Sequence, residues 1–510
     1  MFSFKLLINM KNIFLILYCF VIISCKKNDD LGLNSHNATQ LGNSINGQSQ
    51  LTAATQVSVI DHGAKGDGVT DDTQAIENTM NYAKINGFSS VYFPQGIYLI
   101  KQLGIASGVI PLLNGISLTG AGANLTRLIL SGGRHNPNAM FYQAWWNEPS
   151  VSNVIIQGID FNGNLANQTF DSSYEYCHAL SINNGSNIQV YNCKFESFRG
   201  DGCLFGDTFE STLNQRIVTN VSVHNSEFYN IYREGAMFCC VKTGSFYQNY
   251  IHGNGYYVAG VDIERHSANE TVLNVDIYNN KFDFTDGYGP VERGGPIVKY
   301  RRAVSMGFFY AGYINNKADG LSGGHKIYNN QIYQGQVDCW GHTNVSISNN
   351  TFKSTYENIA GVGWLSTPAI NISDPAKTTG LVNVSVKNNS INSTMAGNGI
   401  LFDNYTSVSA IADSISQTGF DGINIYNASG IFDSNVITNV GTMSTHASGI
   451  VINGNCSGTA ILNNIVQDLR SGGNRTVNYA VFVGNIAFGS IAPSLTNNRD
   501  INLISGVTNQ

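Results

Sequence analysis

Along most of the chain, apolar and polar residues alternate in short runs, and the runs recur with one signature. An apolar-variable-apolar triplet is followed by one or two asparagines, a variable residue, and then Phe or Ile. It reads IQVYNCKF from residue 188, VSVHNSEF from 221, VDIYNNKF from 275, HKIYNNQI from 325, VSISNNTF from 345 and VSVKNNSI from 384, with ILNNIV from 461. Alternation with period two predicts short strands whose apolar side chains point one way. Asn192, Asn225, Asn249 and Asn279 lie 33, 24 and 30 residues apart, the spacing of turns in a solenoid with connections of varying length. Between these strands runs a second series, each member led by glycine: Gly202-Cys203-Leu204-Phe205, Gly235-Ala236-Met237-Phe238 and Gly260-Val261-Asp262-Ile263. It continues as NGILF from 398, DGINIY from 421 and SGIVIN from 448. Two or three strands per coil follow, with stacked asparagines satisfying backbone groups at the bends.

Composition supports a solenoid. Among 510 residues there are 54 Gly, only 9 Pro and 12% charged residues, while 42% are hydrophobic, which excludes bulk disorder. A net charge of -6 gives no reason to expect nucleic acid or an anionic membrane as partner. Nine cysteines, two of them (Cys19 and Cys25) near the start, show no CxxC spacing, so neither a disulfide framework nor a zinc site is indicated. Cys203 and Cys239 fit small core positions. The longest interruption of the repeat spans about 281 to 325 and holds the basic cluster Arg293, Lys299, Arg301 and Arg302. It reads as loops flanking a cleft, with one further coil at VSMGFFY.

The opening of the repeat region is more specific. VSVI is a strand and GAKGDG a glycine-rich turn. Thr70 or Asp71 can cap a helix with the stripe Ile76, Met80 and Ala83, and SVYFPQGIYLI gives two strands about a Pro-Gln-Gly turn. Asp67, Asp71 and Asp72 are expected in turn and capping roles. This segment of about 45 residues resembles the N-terminal cap of the pectate lyase and polygalacturonase superfamily. The resemblance implies an all-β fold, a single-stranded right-handed parallel β-helix (a solenoid) with a short N-terminal capping helix, over residues 56–505. Lyases, hydrolases, epimerases and phage tailspikes share that cap. Further upstream, Lys5 and Lys11 precede the apolar run IFLILYCFVII, which is too short to span a bilayer and ends in Ser24-Cys25. Ile22-Ile23-Ser24-Cys25 resembles a bacterial lipobox and the following KKNDD a surface-export signal. Together they imply a signal peptide at 1–24, lipidation of Cys25 and a flexible tether at 25–55. The location expected is the outer membrane or cell surface, with secreted or periplasmic release as the alternative.

Candidate chemistry concentrates between Arg199 and His266. In stacked parallel strands, residues of one register lie ~4.8 Å apart from coil to coil. Cys203 and Phe205, Ala236 and Phe238, and Val261 and Ile263 are expected to face inward. Leu204, Met237 and Asp262 then face outward, with Glu264 two residues on and Asp201 and Glu234 at the strand entrances on the same face. Four acids so placed could supply the proton donor and the base or nucleophile that glycosidic cleavage needs. Asp-Gly recurs at Asp421-Gly422, a structural turn, which favours Asp262 and Glu264, with Glu234 as partner, over Asp201. Arg233, Arg265, His266, Tyr256, Tyr257 and Arg301 are the expected substrate-binding residues. His178, His252, Trp145, Trp146, Trp340 and Trp364 are weaker candidates.

These residues suit three functions. One is a glycoside hydrolase acting on a polysaccharide, without cofactor and as a monomer. Nothing here matches the polygalacturonase pattern closely. The second is a polysaccharide lyase, for which the superfamily resemblance implies Ca²⁺ held by acids such as Glu234, Asp262 and Glu264, with Lys242, Arg265, Lys299 or Arg301 as base. The third is a non-catalytic carbohydrate-binding surface solenoid.

Overall fold

The computed structural model describes residues 55–503 except for 102–107, 134–138, 144–149, 169–175, 207–216, 254–258, 266–269, 286–301, 309–319, 355–367, 375–381, 394–396, 445–446, 472–473 and 487–490. The signal, most of the tether and Cys25 lie outside the described residues, as do Tyr256, Tyr257, His266, Lys299, Arg301, Trp145, Trp146 and Trp364. Among the described residues no helix is long and apolar enough to cross a membrane.

Strands dominate, and every pairing between them is parallel. Among the described residues they build three sheets of 16, 15 and 13 strands, a typical coil adding one strand to each sheet. This is the right-handed parallel β-helix that the repeat and the cap imply. One coil shows the order: Gly185–Tyr191 in the first sheet, Lys194–Glu196 in the second and Cys203–Phe205 in the third. The core fills the space between the sheets with one inward side chain per pair of residues, and aromatic rings stack up it, as Phe161, Phe195 and Phe228 do at 5.2 and 4.9 Å.

The cap forms its strands and its helix, but the helix is entered through Asp72 and not Thr70 or Asp71, which lie in the strand Asp67–Asp71. Ser90–Phe93 and Gly96–Ile100 flank the Pro-Gln-Gly turn, and helix Thr73–Asn86 buries Ile76, Met80 and Ala83. Its acids close turns rather than a site. Asp71 Oδ1 accepts from the Thr73 backbone N–H at 3.1 Å, Asp72 accepts from Lys65 and Gly66, and Asp67 accepts from Val69 and Thr70.

Two columns run up the bend between the first and second sheets, and the sequence reading merged them. Asn192, Asn225 and Asn279 occupy the left-handed region with φ of 52°, 49° and 56°, and their equivalent in the intervening coil is Gln248 at 54°, not Asn249. Asn249 belongs to the next column, a buried ladder. There Ser226, Asn249, Asn280 and Asn330 each donate a backbone N–H to the amide oxygen above, at 3.0 Å, through Asn249, Asn280, Asn330 and Asn350. Each amide nitrogen also bonds a carbonyl of the coil below, as Asn280 Nδ2 does with Phe246 O at 2.9 Å. The mixed spacing arose because adjacent asparagines read alike in sequence while one supplies a bend and the other a buried hydrogen-bond set.

One rung of that ladder is an acid. Asp413 Oδ1 accepts from the Asn389 backbone at 2.7 Å and from Asn389 Nδ2 at 2.9 Å, but Oδ2 has no partner. Its neighbours place an amide nitrogen at the corresponding spot, bonded to Ile347 O and Ala410 O. Burial raises the Asp413 carboxyl to about 6 from 3.8, against the backbone and amide bonds from Asn389. A raised carboxyl stabilises the fold fully below the unfolded value, and that contribution is lost as pH rises through about 6. Asp413→Asn, which restores the missing donor, is therefore expected to raise the urea midpoint at pH 8, by on the order of 2 kcal/mol in stability. At pH 4 it should change little. Equal effects at both pH values in equilibrium unfolding would contradict this account.

Candidate active site

The outer face of the third sheet differs from the other two. Strands of the first sheet alternate buried and exposed positions, as in Gly185–Tyr191. In the third sheet, His178–Ile182, Glu234–Phe238 and Ala259–Arg265 are buried at every residue, whereas Ile370–Ser373 further along alternates again. The central coils therefore enclose an outward face, and the four acids expected on an open surface are instead buried: Asp201 is 0% exposed, Glu234 1%, Asp262 7% and Glu264 8%.

Register fixes what that face carries. Leu204 pairs with Met237, Met237 with Asp262, Asp262 with Ser305, Ser305 with Asp338, and Asp338 with Asn371. Cys203, Phe205, Ala236, Phe238, Val261 and Ile263 all join the core, so the inward and outward sides are as read. Leu204 and Met237 form a small apolar cluster of their own with Cys239 at the foot of the column, which places Cys239 outside the main core. Glu264 aligns with Gly307, one position pair further along the strands.

Asp201 and Glu234 share a register but not this column. They sit two residues ahead of Cys203 and Ala236, which pair with each other. Asp201 closes a polar bracket: its backbone N–H donates to His178 Nδ1 at 2.9 Å, and its Oδ1 accepts the Glu234 backbone N–H at 3.2 Å. His178 Nδ1 also lies 3.0 Å from Asp201 Oδ2. Asp421 repeats the bracket seven coils on, with its N–H on Asn398 Oδ1 at 3.0 Å and its Oδ1 accepting from Ser448 at 2.9 Å. Asp201 and Asp421 thus make the same structural bracket, each followed by a glycine that has no room for a Cβ, Gly202 against Gly235 and Phe228 and Gly422 against Ile437 and Gly449. Arg233 Nε stands 3.1 Å from Glu234 Oε2 and 3.8 Å from Asp201 Oδ1, so it holds these acids rather than an open binding surface.

Electrostatics link the remaining acids. Burial pushes Asp262 well above the usual carboxylate range, and the charges of Glu264 and then Glu234 push it the same way, with Ser305 and Arg302 opposing. Burial likewise raises Glu234 well above its ordinary value, against the pull of Arg233, with Asp201 and Glu264 adding to the rise. Three carboxyls in mutual reach cannot all ionise out of water, so Asp262 carries a proton to unusually high pH.

The sequence reading missed the other wall. Asp338 is 1% exposed, and its Oδ2 accepts from Arg302 Nε at 2.6 Å and Gln336 Nε2 at 2.7 Å. The Arg302 guanidinium lies 4.8 Å from the Trp340 ring centre. Burial raises the Asp338 carboxyl, with Arg302 pulling it back down. The available signal was an acid between two core residues in QVDCW, the same inward-outward count that singled out VDIER. Arg302 is the described member of the basic cluster, and the strand Arg302–Phe308 contains most of the expected extra coil. Other expected residues are not in the column. Lys242 is on the first sheet and His252 on the second, where His252 Nε2 meets Glu227 at 3.0 Å. Arg265 is buried at the end of the Asp262 strand, in the inward register.

Orphaned polar atoms mark the same face. Asp262 Oδ1, Gln336 Oε1, Asp338 Oδ1, Trp340 Nε1 and Asn371 Oδ1 are all buried without a hydrogen-bond partner. Unpaired buried polar atoms are costly, and a run of them on one face suits a polar ligand. Among the described residues no group of three or more His, Cys, Asp or Glu is gathered closely enough to hold a metal ion.

Residues 56–282 match the family described as "Rhamnogalacturonase A/epimerase, pectate lyase-like", a span that takes in the cap and the coils of Asp201, Glu234 and Asp262. The pectate lyase-like resemblance of the cap therefore holds. The chain is 25% identical over 271 residues to plasmin and fibronectin-binding protein A of Streptococcus pneumoniae, covering 45% of this chain and 36% of that protein. It is 27% identical over 212 residues to alginate lyase 7 of Azotobacter vinelandii, covering 41% of this chain and 24% of that protein. The matches thus span roughly a third and a quarter of these relatives. Among solved structures, the tailspike protein of E. coli bacteriophage HK620 in complex with pentasaccharide aligns with a TM-score of 0.51 and 13% identity, over 88% of this chain and 80% of that one, which shows a shared fold.

If Asp201 and Asp421 are the same structural bracket, Asp201→Ala and Asp421→Ala should destabilise alike, by about 1–3 kcal/mol for the orphaned backbone donors. Chemical denaturation checks this, and a fully stable Asp201→Ala would refute the bracket.

Proposed function

We propose that this chain is a polysaccharide-degrading hydrolase, displayed outside the cell through a lipid on Cys25, that binds its glycan against the outer face of the third sheet. The observation that carries the reading is Asp262. It stands outward on a strand whose neighbours Val261 and Ile263 are core, it is buried among other acids, and one of its oxygens is unpaired. A carboxyl held protonated by burial and like charge is the group that can donate a proton to a leaving glycosidic oxygen near neutral pH. Glu264 and Glu234 maintain that state. The relatives' names support a surface or glycan-facing role: one binds plasmin and fibronectin, one is an alginate lyase, and the tailspike holds a pentasaccharide.

The reaction divides between two carboxyls. The protonated one gives its proton to the bridging oxygen as the bond from that oxygen to the anomeric carbon breaks. The ionised one takes a proton from the attacking water, or attacks the anomeric carbon itself. Elimination is the second reading, favoured by the similarity to alginate lyase 7, in which a basic residue such as Arg265 would remove the proton beside a uronate carboxyl.

Incubation with dextran, polygalacturonate, alginate and chondroitin sulfate, scored for reducing ends and for absorbance at about 235 nm, separates the readings. Reducing ends without absorbance are expected; absorbance would establish elimination, and neither signal would favour a binding solenoid. Asp262→Asn should lower kcat by roughly 100- to 10,000-fold with unfolding unchanged. Because the protonated form of Asp262 is the active one, kcat/KM should fall as pH rises through its raised value. Glu264→Gln and, more weakly, Glu234→Gln remove a like charge and should move that alkaline limb to lower pH. A limb that stays in place in both variants would contradict the role given to these acids.

A further inference from the structure

Two buried histidines join the first sheet to the third, and neither belongs to the acidic face described above. His325 stands just before the first-sheet strand Lys326–Tyr328 and His342 just after the third-sheet strand Gln336–Trp340, and both are 0% exposed. Three contacts run through them. The Val275 N–H of the first sheet donates to His325 Nδ1 at 3.2 Å, His325 Nε2 meets His342 Nδ1 at 3.2 Å, and His342 Nε2 meets the Gly307 carbonyl at 3.5 Å. Gly307 lies on Arg302–Phe308, the strand that carries Arg302 and Ser305. That strand pairs with Ala259–Arg265 as far as Phe308, but with Gln336–Trp340 only as far as Met306. His342 therefore holds the strand one residue beyond the end of that second pairing.

The three contacts fix where the protons are. A backbone N–H only donates, so His325 Nδ1 is bare and its proton sits on Nε2. That proton points at His342 Nδ1, so His342 also carries its proton on Nε2 and gives it to the Gly307 carbonyl, which only accepts. Each contact holds one proton and both rings are neutral. An added proton would set His325 Nδ1 against the Val275 N–H, or His342 Nδ1 against the His325 N–H, and either breaks a contact in a dry interior.

The surroundings favour the neutral pair. Burial lowers His325 well below the ordinary imidazole value, and His342 adds to the fall. Burial lowers His342 to about 4, against the pull of the Gly307 carbonyl and together with the charge of Arg265. Cys339 Sγ and Tyr405 OH also face His342, at 3.8 and 3.2 Å from its carbonyl oxygen. Glu264 is level with Gly307, and beside His325 the first sheet carries Asp276 and Lys326, which offset each other at 3.8 Å. The strand so held matters to the site: Arg302 donates to Asp338 Oδ2, and Ser305 hydrogen-bonds Asp262 and lowers its carboxyl.

Resting on the reading that places glycan cleavage on the outer face of the third sheet, we propose that His325 and His342 are positioning residues. They form a neutral, proton-ordered strut from the Val275 backbone to the Gly307 carbonyl, and it sets Arg302 and Ser305 against Asp338 and Asp262.

The full chain labelled with ¹⁵N-histidine should show by NMR two imidazoles protonated at Nε2 alone from about pH 8 to about pH 5, one of them lost in His342→Gln. His342→Leu removes the strut, whereas His342→Gln keeps an uncharged donor and acceptor. On whichever of dextran, polygalacturonate, alginate or chondroitin sulfate the chain cleaves, His342→Leu should lower kcat by roughly 10- to 100-fold at about pH 7 with KM within a few-fold. His342→Gln should return kcat to within about threefold of the parent. In hydrogen exchange, Arg302–Phe308 should open roughly tenfold faster in His342→Leu while Gly185–Tyr191 is unchanged. Taking the parent from about pH 6 to about pH 3.5 should speed that strand alone by about threefold or more, after correction for intrinsic exchange, and His342→Gln should abolish this acid step. An Nδ1-protonated ring in the pair, parental kcat and exchange in His342→Leu, or an acceleration shared equally by Gly185–Tyr191 overturns the proposal. Should His342→Leu fail to fold, the tautomers and the acid step in the parent and His342→Gln decide it. An unsaturated product overturns hydrolysis and leaves the strut to be tested on that activity; no product from any of the four removes the site reading and the positioning role with it.

Discussion

Register between successive coils is the constraint on which everything else depends. A parallel strand can slide by one residue only if every side chain exchanges core for exterior. Here sliding is blocked by the buried amide ladder from Asn249 through Asn280, Asn330, Asn350 and Asn389, in which each amide both accepts from one coil and donates to another. A slip would orphan these bonds in a dry interior, at a cost per group comparable to a large fraction of a protein's net stability. With register held, the third sheet becomes a ruler. Asp262, Ser305 and Asp338 stand in line at the strand spacing, and their chemistry follows from that line.

The same rigidity explains how so many acids can be enclosed together. Asp201 faces His178 and accepts from a backbone amide, Glu234 lies beside Arg233, and Asp338 Oδ2 accepts from Arg302 and Gln336. Asp262 and Glu234 are each raised by burial and by two like charges, with Arg233 opposing the rise at Glu234 and Ser305 and Arg302 at Asp262. Burial raises both Asp262 and Asp338, and the guanidinium of Arg302 opposes the rise at each. Asp413 shows the same physics without a ligand: in a ladder built for amides, an acid leaves one oxygen unpaired and its proton becomes harder to remove.

Much of this was visible in residue order. The alternation, the Asn signature and the glycine-led triplets were enough for a coiled stack of strands, and the cap segment gave its handedness through resemblance. The inward-outward count at Cys203, Ala236 and Val261 was correct because it depends only on the two-residue period of a strand. Asp201 and Glu234 fall outside the Asp262 column because each lies two residues ahead of an inward residue, Cys203 or Ala236, and so shares its place in the two-residue period. Asn249 was placed in the wrong column because two adjacent asparagines with different jobs look the same in a string. Asp338 escaped notice since Gly335 stands one residue further from the inward Val337 than the glycines of the other triplets do, and its strand lies beyond the long interruption.

Local period, capping and turn chemistry are properties of neighbouring residues, so the sequence by itself determined the strands, the capping helix, the core face and the outward acids of VDIER. Which of those acids share a space was decided only by tertiary structure. Asp262 and Asp338 are 76 residues apart in the chain and two coils apart in space. Connections of unequal length hide that neighbourhood from any fixed spacing, and only the pairing of strand on strand brings the two carboxyls and the guanidinium of Arg302 to one face.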